Sequence, residues 1–283
     1  MPSAQAILKR FNGLKTLPHV AIRLSKLISN EKSHLQEFEE LIKMDPTLVL
    51  RLLRLVNSPY YGLREKVTSI SRAVVFIGMK NLRNLIVLEA LRDIFNSRRD
   101  SEAFSRALLW LHCAAVSVCS QMITERIFGQ KGEDVFLCGI LHDVGMIVED
   151  QIEQELFAKV CSAYEPNGKR ITVFEKEMIG TDHCEVASLL AREWKLPDEV
   201  RKGIKYHHTP EKEADPSSII GTIQMAEFIV SKLKYSALPD MEPQLSPSLA
   251  SHVRENIEEY RAIARDLPDE MTKAHDLYQP QEA

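Results

Sequence analysis

Nine histidines are spread along the 283 residues, and five of them (His112, His142, His183, His207 and His208) fall in the middle of the chain. Four features there have the residue types of a metal site. His142-Asp143 stands within CGILHDVG. Adjacent helical residues project about 100° apart, yet both can reach one ion at a helix end, and imidazole and carboxylate are standard ligands for Fe, Mn and Zn. His112 is in line with Leu108, Ala115, Val116 and Cys119 on a helical face. His183 lies near the start of its helix, and His207-His208 follows Ile204 by three to four residues, on its buried side. Glu227, at i+4 from Ile223 and i+7 from Ile220, sits on the apolar face of another helix. A carboxylate there is costly unless paired or metal-bound.

Taken singly, a histidine on an apolar face is usually a hydrogen-bonded core residue, and a buried glutamate is usually half of a salt bridge. So many such groups on separate helices of one bundle call for a common centre. The residues alone leave two fillings open: a divalent ion, or protons on the histidines paired with Asp143 and Glu227.

The elements that must position these groups read as helices nearly throughout, with no convincing period-2 alternation. Ser33-x-x-Gln36 forms a capping box ahead of Leu35, Phe38, Leu41 and Ile42. Asp45-Pro46 is a second start, since Asp can cap and Pro suits the first helical position. The run Leu48, Val49, Leu52, Leu53, Val56 keeps helical spacing until Asn57-Ser58-Pro59 ends it. Asn57 to Tyr61 is expected to form a tight, ordered turn. Ser69 opens a helix that Gly78 can close, and Asn81 opens the next. A charged stretch, Asn96 to Glu102, separates this half from a long apolar helix over about 104–127. One helix is expected from Gly132-Glu133 through Leu141 to Val148, and another from the capping box Asp182-x-x-Glu185 to just before Pro197. Helices 198–208 and 217–234, a Pro- and Ser-rich linker over 236–247, and one amphipathic helix through Leu249, Val253, Ile257, Tyr260 and Ala264 complete the chain. The expected division is therefore a helical half over 1–100, a bundle over 101–235, and a linker with a terminal helix over 236–283.

Composition fits a soluble globular chain, with 45% apolar and 27% charged residues. No apolar stretch reads as approaching the roughly 18 residues needed to span a bilayer. MPSAQAILKRFNG lacks the apolar core and cleavage site of a secretion signal. The five cysteines (113, 119, 138, 161, 184) are odd in number, have no CxxC spacing, and mostly sit in apolar patterns as small hydrophobes. A reducing, cytoplasmic compartment is the simplest expectation. Net charge is −4, but residues 1–100 carry +8 and the remainder −12. The basic residues are scattered without a dense run or interleaved aromatics, so they read as solvated helix faces, and nucleic acid is not an expected partner.

The segments LKTLPHVAIRLSKLI, LIKMDPTLVLRLLRLVNSPYYG and VTSISRAVVFIGMKNLRNL, followed by WLHCAAVS, GILHDVGMIV, GTDHCEVASLLAREWKLP and IKYHHTPE, closely resemble the HDOD family over about residues 10–230. The resemblance implies an all-α fold of two helical halves, the second being a bundle like that of the HD metal-dependent phosphohydrolases. In those hydrolases a His, a His-Asp pair and a later Asp hold one or two metals. These positions fall on His112, His142, Asp143 and, with Asp replaced by Glu, Glu227. Two further histidines of the related HD-GYP phosphodiesterases fall on His183 and His207. Three departures stand out. The lysine that follows the HDxG turn in HD-GYP proteins is Met146 here, the GYP motif is replaced by TPEKEADPSS, and Glu227 is one methylene longer than Asp.

The resemblance implies a signalling or scaffold module that binds protein partners, with a nucleotide as a second class of ligand, through the groove between its halves. The alternative is a metal-dependent phosphohydrolase or phosphodiesterase, in which His112, His142, Asp143 and Glu227 hold an ion that acidifies a water. Asp182 would then be a flanking acid, and Lys169, Arg170 or Lys205 would replace the missing phosphate-binding cation. Oligomeric state is left open.

Overall fold

The structure is a computed structural model that describes residues 2–11, 19–28, 35–95, 103–165, 168–210, 213–239, 241 and 243–278. Among them the chain is built from α-helices, without a strand. The first half holds α1 (Ala4–Arg10), α2 (His19–Ile28), α3 (Leu35–Lys43), α4 (Pro46–Val56) and α5 (Ile70–Phe95). The bundle follows as α6 (Arg106–Arg126), α7 (Glu133–Leu141), α8 (Val144–Ile152), α9 (Gln154–Ala163), α10 (Ile171–Met178), α11 (His183–Glu193), α12 (Asp198–Tyr206) and α13 (Ile219–Lys232). The end of the chain forms α14 (Pro247–Glu255), α15 (Ile257–Lys273) and α16 (His275–Tyr278).

Local chemistry sets many of these limits. Asp45 caps α4 by accepting the Leu48 N–H at 3.0 Å. At its other end Asn57 clamps the chain back on itself. Its amide donates to the carbonyls of Leu53 and Val67, and its oxygen accepts the Val67 N–H. The following turn is ordered, with Tyr60 and Tyr61 packed edge to face and the Tyr60 hydroxyl donating to Gln121 of α6 at 2.7 Å. Within α5, Gly78 has φ 79° and ψ 160°, so two helical segments meet there, as the sequence predicts. The Ser33 capping box and the Asn96–Glu102 separator lie outside the described residues.

The two halves share one continuous apolar core. Polar ties cross as well: buried Arg83 donates to Asp134 at 3.0 Å, and Asn84 donates to the Glu133 carbonyl at 2.7 Å, so α5 grips the start of α7. The α1 helix packs on α8 and α11, and Arg10 donates to the Ile152 carbonyl there. From the far end, Tyr260, Ile263 and Leu267 of α15 are buried, the α15 helix packing on α6. The Trp110 indole donates to the Tyr278 carbonyl at 2.6 Å.

Three sequence expectations are corrected. The helix expected from 133 to 148 is two helices, broken at His142-Asp143, where Asp143 leaves helical geometry (φ −102°, ψ 7°). The single terminal helix is also two, broken at Asn256 (φ −116°, ψ 36°). Finally, α6 does have the length and hydropathy of a membrane span, but 78% of its apolar window is buried inside the protein, as suits a core helix.

Candidate metal centre

Four helices and one turn converge on Asp143. The turn between α7 and α8 carries His142 and Asp143, α6 carries His112, α11 begins at His183, His207 caps the end of α12, and α13 carries Glu227. Close packing makes this possible. A Cβ on Gly139 would lie 2.5 Å from the Ser117 Cα, so α7 rides directly on the α6 backbone. A Cβ on Gly145 would lie 2.1 Å from the His183 carbonyl oxygen, so α8 rides on the start of α11.

The Asp143 carboxylate divides the cluster in two. Its Oδ2 faces His142 Nε2 at 3.3 Å and His112 Nε2 at 3.5 Å. Its Oδ1 faces His183 Nε2 at 3.2 Å and His207 Nε2 at 3.3 Å. Glu227 Oε1 lies 3.0 Å from His142 Nε2, so the extra methylene is absorbed. All six residues named from the sequence thus meet in one place. His142, Asp143 and His183 are fully buried, and His112, His207 and Glu227 nearly so.

The distal ring nitrogens explain why the near ones are bare. His112 Nδ1 bonds the Tyr235 carbonyl at 2.8 Å, His142 Nδ1 that of Gly139 at 2.7 Å, and His207 Nδ1 that of Ile204 at 2.6 Å. A carbonyl only accepts, so each Nδ1 carries the proton and, in the neutral ring, Nε2 keeps its lone pair. His183 Nδ1 is held at 2.8 Å by the Glu175 carboxylate, which also accepts the His183 backbone N–H. Yet His142 and His112 bring their Nε2 atoms to 3.2 Å, and His183 and His207 to 3.4 Å. Lone pairs at that separation repel unless a positive charge lies between them. The four oxygens of Asp143 and Glu227 are buried and accept no hydrogen bond, which is costly without a cation.

Among the described groups of the cluster, the positive charge available without a metal is protons on the histidines. Burial pulls the His142 imidazole down, but Asp143 and Glu227 overcome it and push it up to about 9. The same opposition lifts His183 and His207, with Cys184 the strongest upward influence on each. His112 goes down, through burial and the neighbouring His142. Burial raises Asp143 and Glu227, and the surrounding imidazoles more than reverse it, holding Glu227 near about 2 and Asp143 well below the usual range. Both carboxylates are therefore ionised. Protons suit either pair only as one donor and one acceptor, so a second proton on His183 or His207 would set N–H against N–H. A divalent ion satisfies both pairs, and the donor set of imidazoles and carboxylates fits one.

Two participants, Glu175 and Cys184, were not assigned to the centre from the sequence, and His208, noted there only as the partner of His207, joins them. Glu175 comes from α10, a helix without a recognised start signal. His208 turns its Nδ1 toward Glu227 Oε2 at 3.7 Å. The Cys184 Sγ stands 3.4 Å from His183 Nε2, although its position reads as a small hydrophobe. Asp182, the flanking acid of the hydrolase alternative, is already engaged by other groups. Burial raises its carboxyl, but His183, Lys176 and the Glu185 N–H together hold it low. It caps α11 and pairs with Lys176 at 2.7 Å. Met146 is fully buried. Lys205 pairs with Glu185 at 2.8 Å, Lys169 with Glu177 at 3.0 Å, and Arg170 donates to the His208 carbonyl. A cavity of about 940 Å³ borders His207 and His208 and includes Lys169 and Arg170 in its lining.

A family model described as HDOD domain matches residues 14–210. An uncharacterised protein of Treponema pallidum (strain Nichols) is 26% identical over 242 residues, covering 83% of this chain and 46% of that protein. The cyclic di-GMP phosphodiesterase CdgJ of Vibrio cholerae serotype O1 is 24% identical over 135 residues, covering 48% of this chain and 30% of that protein. The chain thus spans less than half the length of either relative. The crystal structure of a candidate phosphohydrolase from Shewanella amazonensis SB2B is similar at 26% identity and TM-score 0.70, covering 97% of this chain and 96% of that one.

Proposed function

The chain belongs to the HDOD family, and from that membership we propose that it is a signal-transduction module whose bundle is organised by a divalent metal at Asp143 and which does not turn over phosphoesters there. The observation that carries this reading is a full set of donors in a largely buried site. His142, Asp143 and His183 are wholly buried, and the adjoining cavity is lined by His207 and His208 but by none of these three. A substrate phosphate needs both a path to the ion and a cation to hold it. Here the position of the HD-GYP lysine is a buried Met146.

The chemistry supplied by a divalent ion is concentrated positive charge in a dry site, which can lock helices together or acidify a water. For the first role this chain's residues suffice. His112, His142 and Glu227 tie α6, the α7–α8 turn and α13 on one side of Asp143, and His183 and His207 tie α11 and α12 on the other. Protein partners would read the resulting arrangement of helices from outside.

The second reading, a phosphohydrolase, is favoured by the cavity beside His207 and His208, where Lys169 and Arg170 could meet an anion. One experiment separates them. Protein purified without chelator is assayed for metal content and for hydrolysis of bis(p-nitrophenyl) phosphate and cyclic dinucleotides. The module reading expects stoichiometric metal without turnover. Hydrolysis that disappears in Asp143→Ala would establish the enzyme instead.

A further inference from the structure

We propose that Cys184 is a thiolate ligand of the ion held by Asp143 Oδ1, His183 and His207, so that this half of the centre selects zinc or ferrous iron over manganese or magnesium. The proposal rests on the metal reading above and adds to it the identity of a ligand and the class of metal.

The argument is geometric. With a zinc–nitrogen or zinc–oxygen bond near 2.05 Å and a zinc–sulfur bond near 2.3 Å, tetrahedral ligands lie about 3.3 Å apart for two N/O atoms and about 3.6 Å apart for N and S. Five of the six ligand-to-ligand distances in this half of the centre can be read directly. His183 to Asp143 is 3.2 Å, His207 to Asp143 is 3.3 Å, and His183 to His207 is 3.4 Å between their Nε2 atoms. The Cys184 Sγ is 3.4 Å from His183 Nε2 and 3.9 Å from His207 Nε2, values that straddle the expected N-to-S edge. Asp143, fully buried and with neither oxygen accepting a hydrogen bond, independently marks this point as a place for a cation.

His208 is the competing fourth ligand. Its donor atom lies within 4.8 Å of those of Asp143, His183 and His207, while its Nδ1 also faces Glu227 Oε2 at 3.7 Å. Cys184 follows His183 at the start of α11, which Asp182 caps, so the peptide that positions the imidazole positions the sulfur too. Thiolate is a soft donor, and it favours zinc and iron over the oxygen-seeking manganese and magnesium.

The test loads the full chain with cobalt(II) and reads the near-ultraviolet thiolate-to-cobalt charge-transfer band, alongside metal stoichiometry. The expected result is a strong band that is lost in Cys184→Ser and kept in His208→Ala. Because a buried substitution can impair folding, zinc-edge X-ray absorption of the unmutated, zinc-loaded protein gives a second reading, with a sulfur neighbour expected at about 2.3 Å. Metal bound with neither band nor sulfur neighbour overturns this inference and leaves the metal reading standing. Failure to bind metal at all overturns both.

Discussion

Asp143 Oδ1 lies 3.2 Å from His183 Nε2, and the His183 Nδ1 on the far side of the ring is gripped by Glu175 at 2.8 Å. The imidazole is thus aimed by one carboxylate at another. Outer groups of this kind fix the ring's orientation and raise its basicity as a ligand. Glu175→Ala is therefore expected to weaken metal binding by about 10- to 100-fold, while Glu175→Gln, which can still accept the Nδ1 proton, should lose less. Competitive titration against a chromogenic chelator checks the order. Equal affinity in all three proteins would mean that Glu175 does not position the ligand.

Proton and metal compete for His142, which gives opposite pH trends in the two forms. In the metal-free protein the folded His142 imidazole is raised to about 9, above its unfolded value of about 6.5. Its protonation therefore adds stability that is fully present below pH ~6.5 and is lost as pH rises through about 9. The amount is on the order of a few kcal/mol at most. Metal affinity should climb across the same window, because the ion must displace that proton. Melting curves of stripped protein and metal titrations between these limits read the two slopes; parallel slopes would exclude the competition.

Gly145 tests how tightly α8 and α11 are set. A methyl group there would lie 2.1 Å from the His183 carbonyl oxygen, a backbone atom that cannot swing away. Gly145→Ala should cost about 1–3 kcal/mol through overpacking and lower metal occupancy by moving His183. A variant with normal melting temperature and normal metal content would show that the two helices can separate freely.

Tyr60 joins the first half to the bundle through Gln121 and lies 6.4 Å from the Phe136 ring, centroid to centroid. Tyr60→Phe should cost about 1 kcal/mol for the lost hydrogen bond, and Tyr60→Ala more, on the order of a few kcal/mol for the half-buried ring. Chemical denaturation measures both. Unchanged stability in the alanine variant, together with altered partner binding, would make this turn an interface instead of a structural corner.

Much of this arrangement was legible in the residues because polar groups interrupt apolar stripes. His112, Glu227 and His207 each stand where helical spacing calls for an aliphatic side chain, and Asp45 and Asp182 announce helix starts by their own chemistry. What escaped reading depends on tertiary contact. The break at His142-Asp143 contains neither Gly nor Pro, and apolar periodicity runs straight through it. The turn is held instead by burial and by the bond from His142 Nδ1 to the Gly139 carbonyl. Glu175 lies on a helix without a recognised cap: the residue at its start, Arg170, makes no side-chain capping bond. Cys184 was hidden by its type, since nothing local separates a buried hydrophobe from a ligand.

The central claim is that a cation holds the Asp143 cluster together, and thermal unfolding before and after metal removal tests it most directly. Protein purified without chelator is melted as isolated, after dialysis against a strong chelator, and after zinc, manganese or ferrous iron is restored. An ion present at about a thousandfold its dissociation constant stabilises the folded state by about 4 kcal/mol. The account therefore predicts a fall of several degrees on stripping, recovery on reloading, and no response in Asp143→Ala. Identical melts in all three states, with no stoichiometric metal in the isolated protein, would contradict it and leave the cluster held by protons alone.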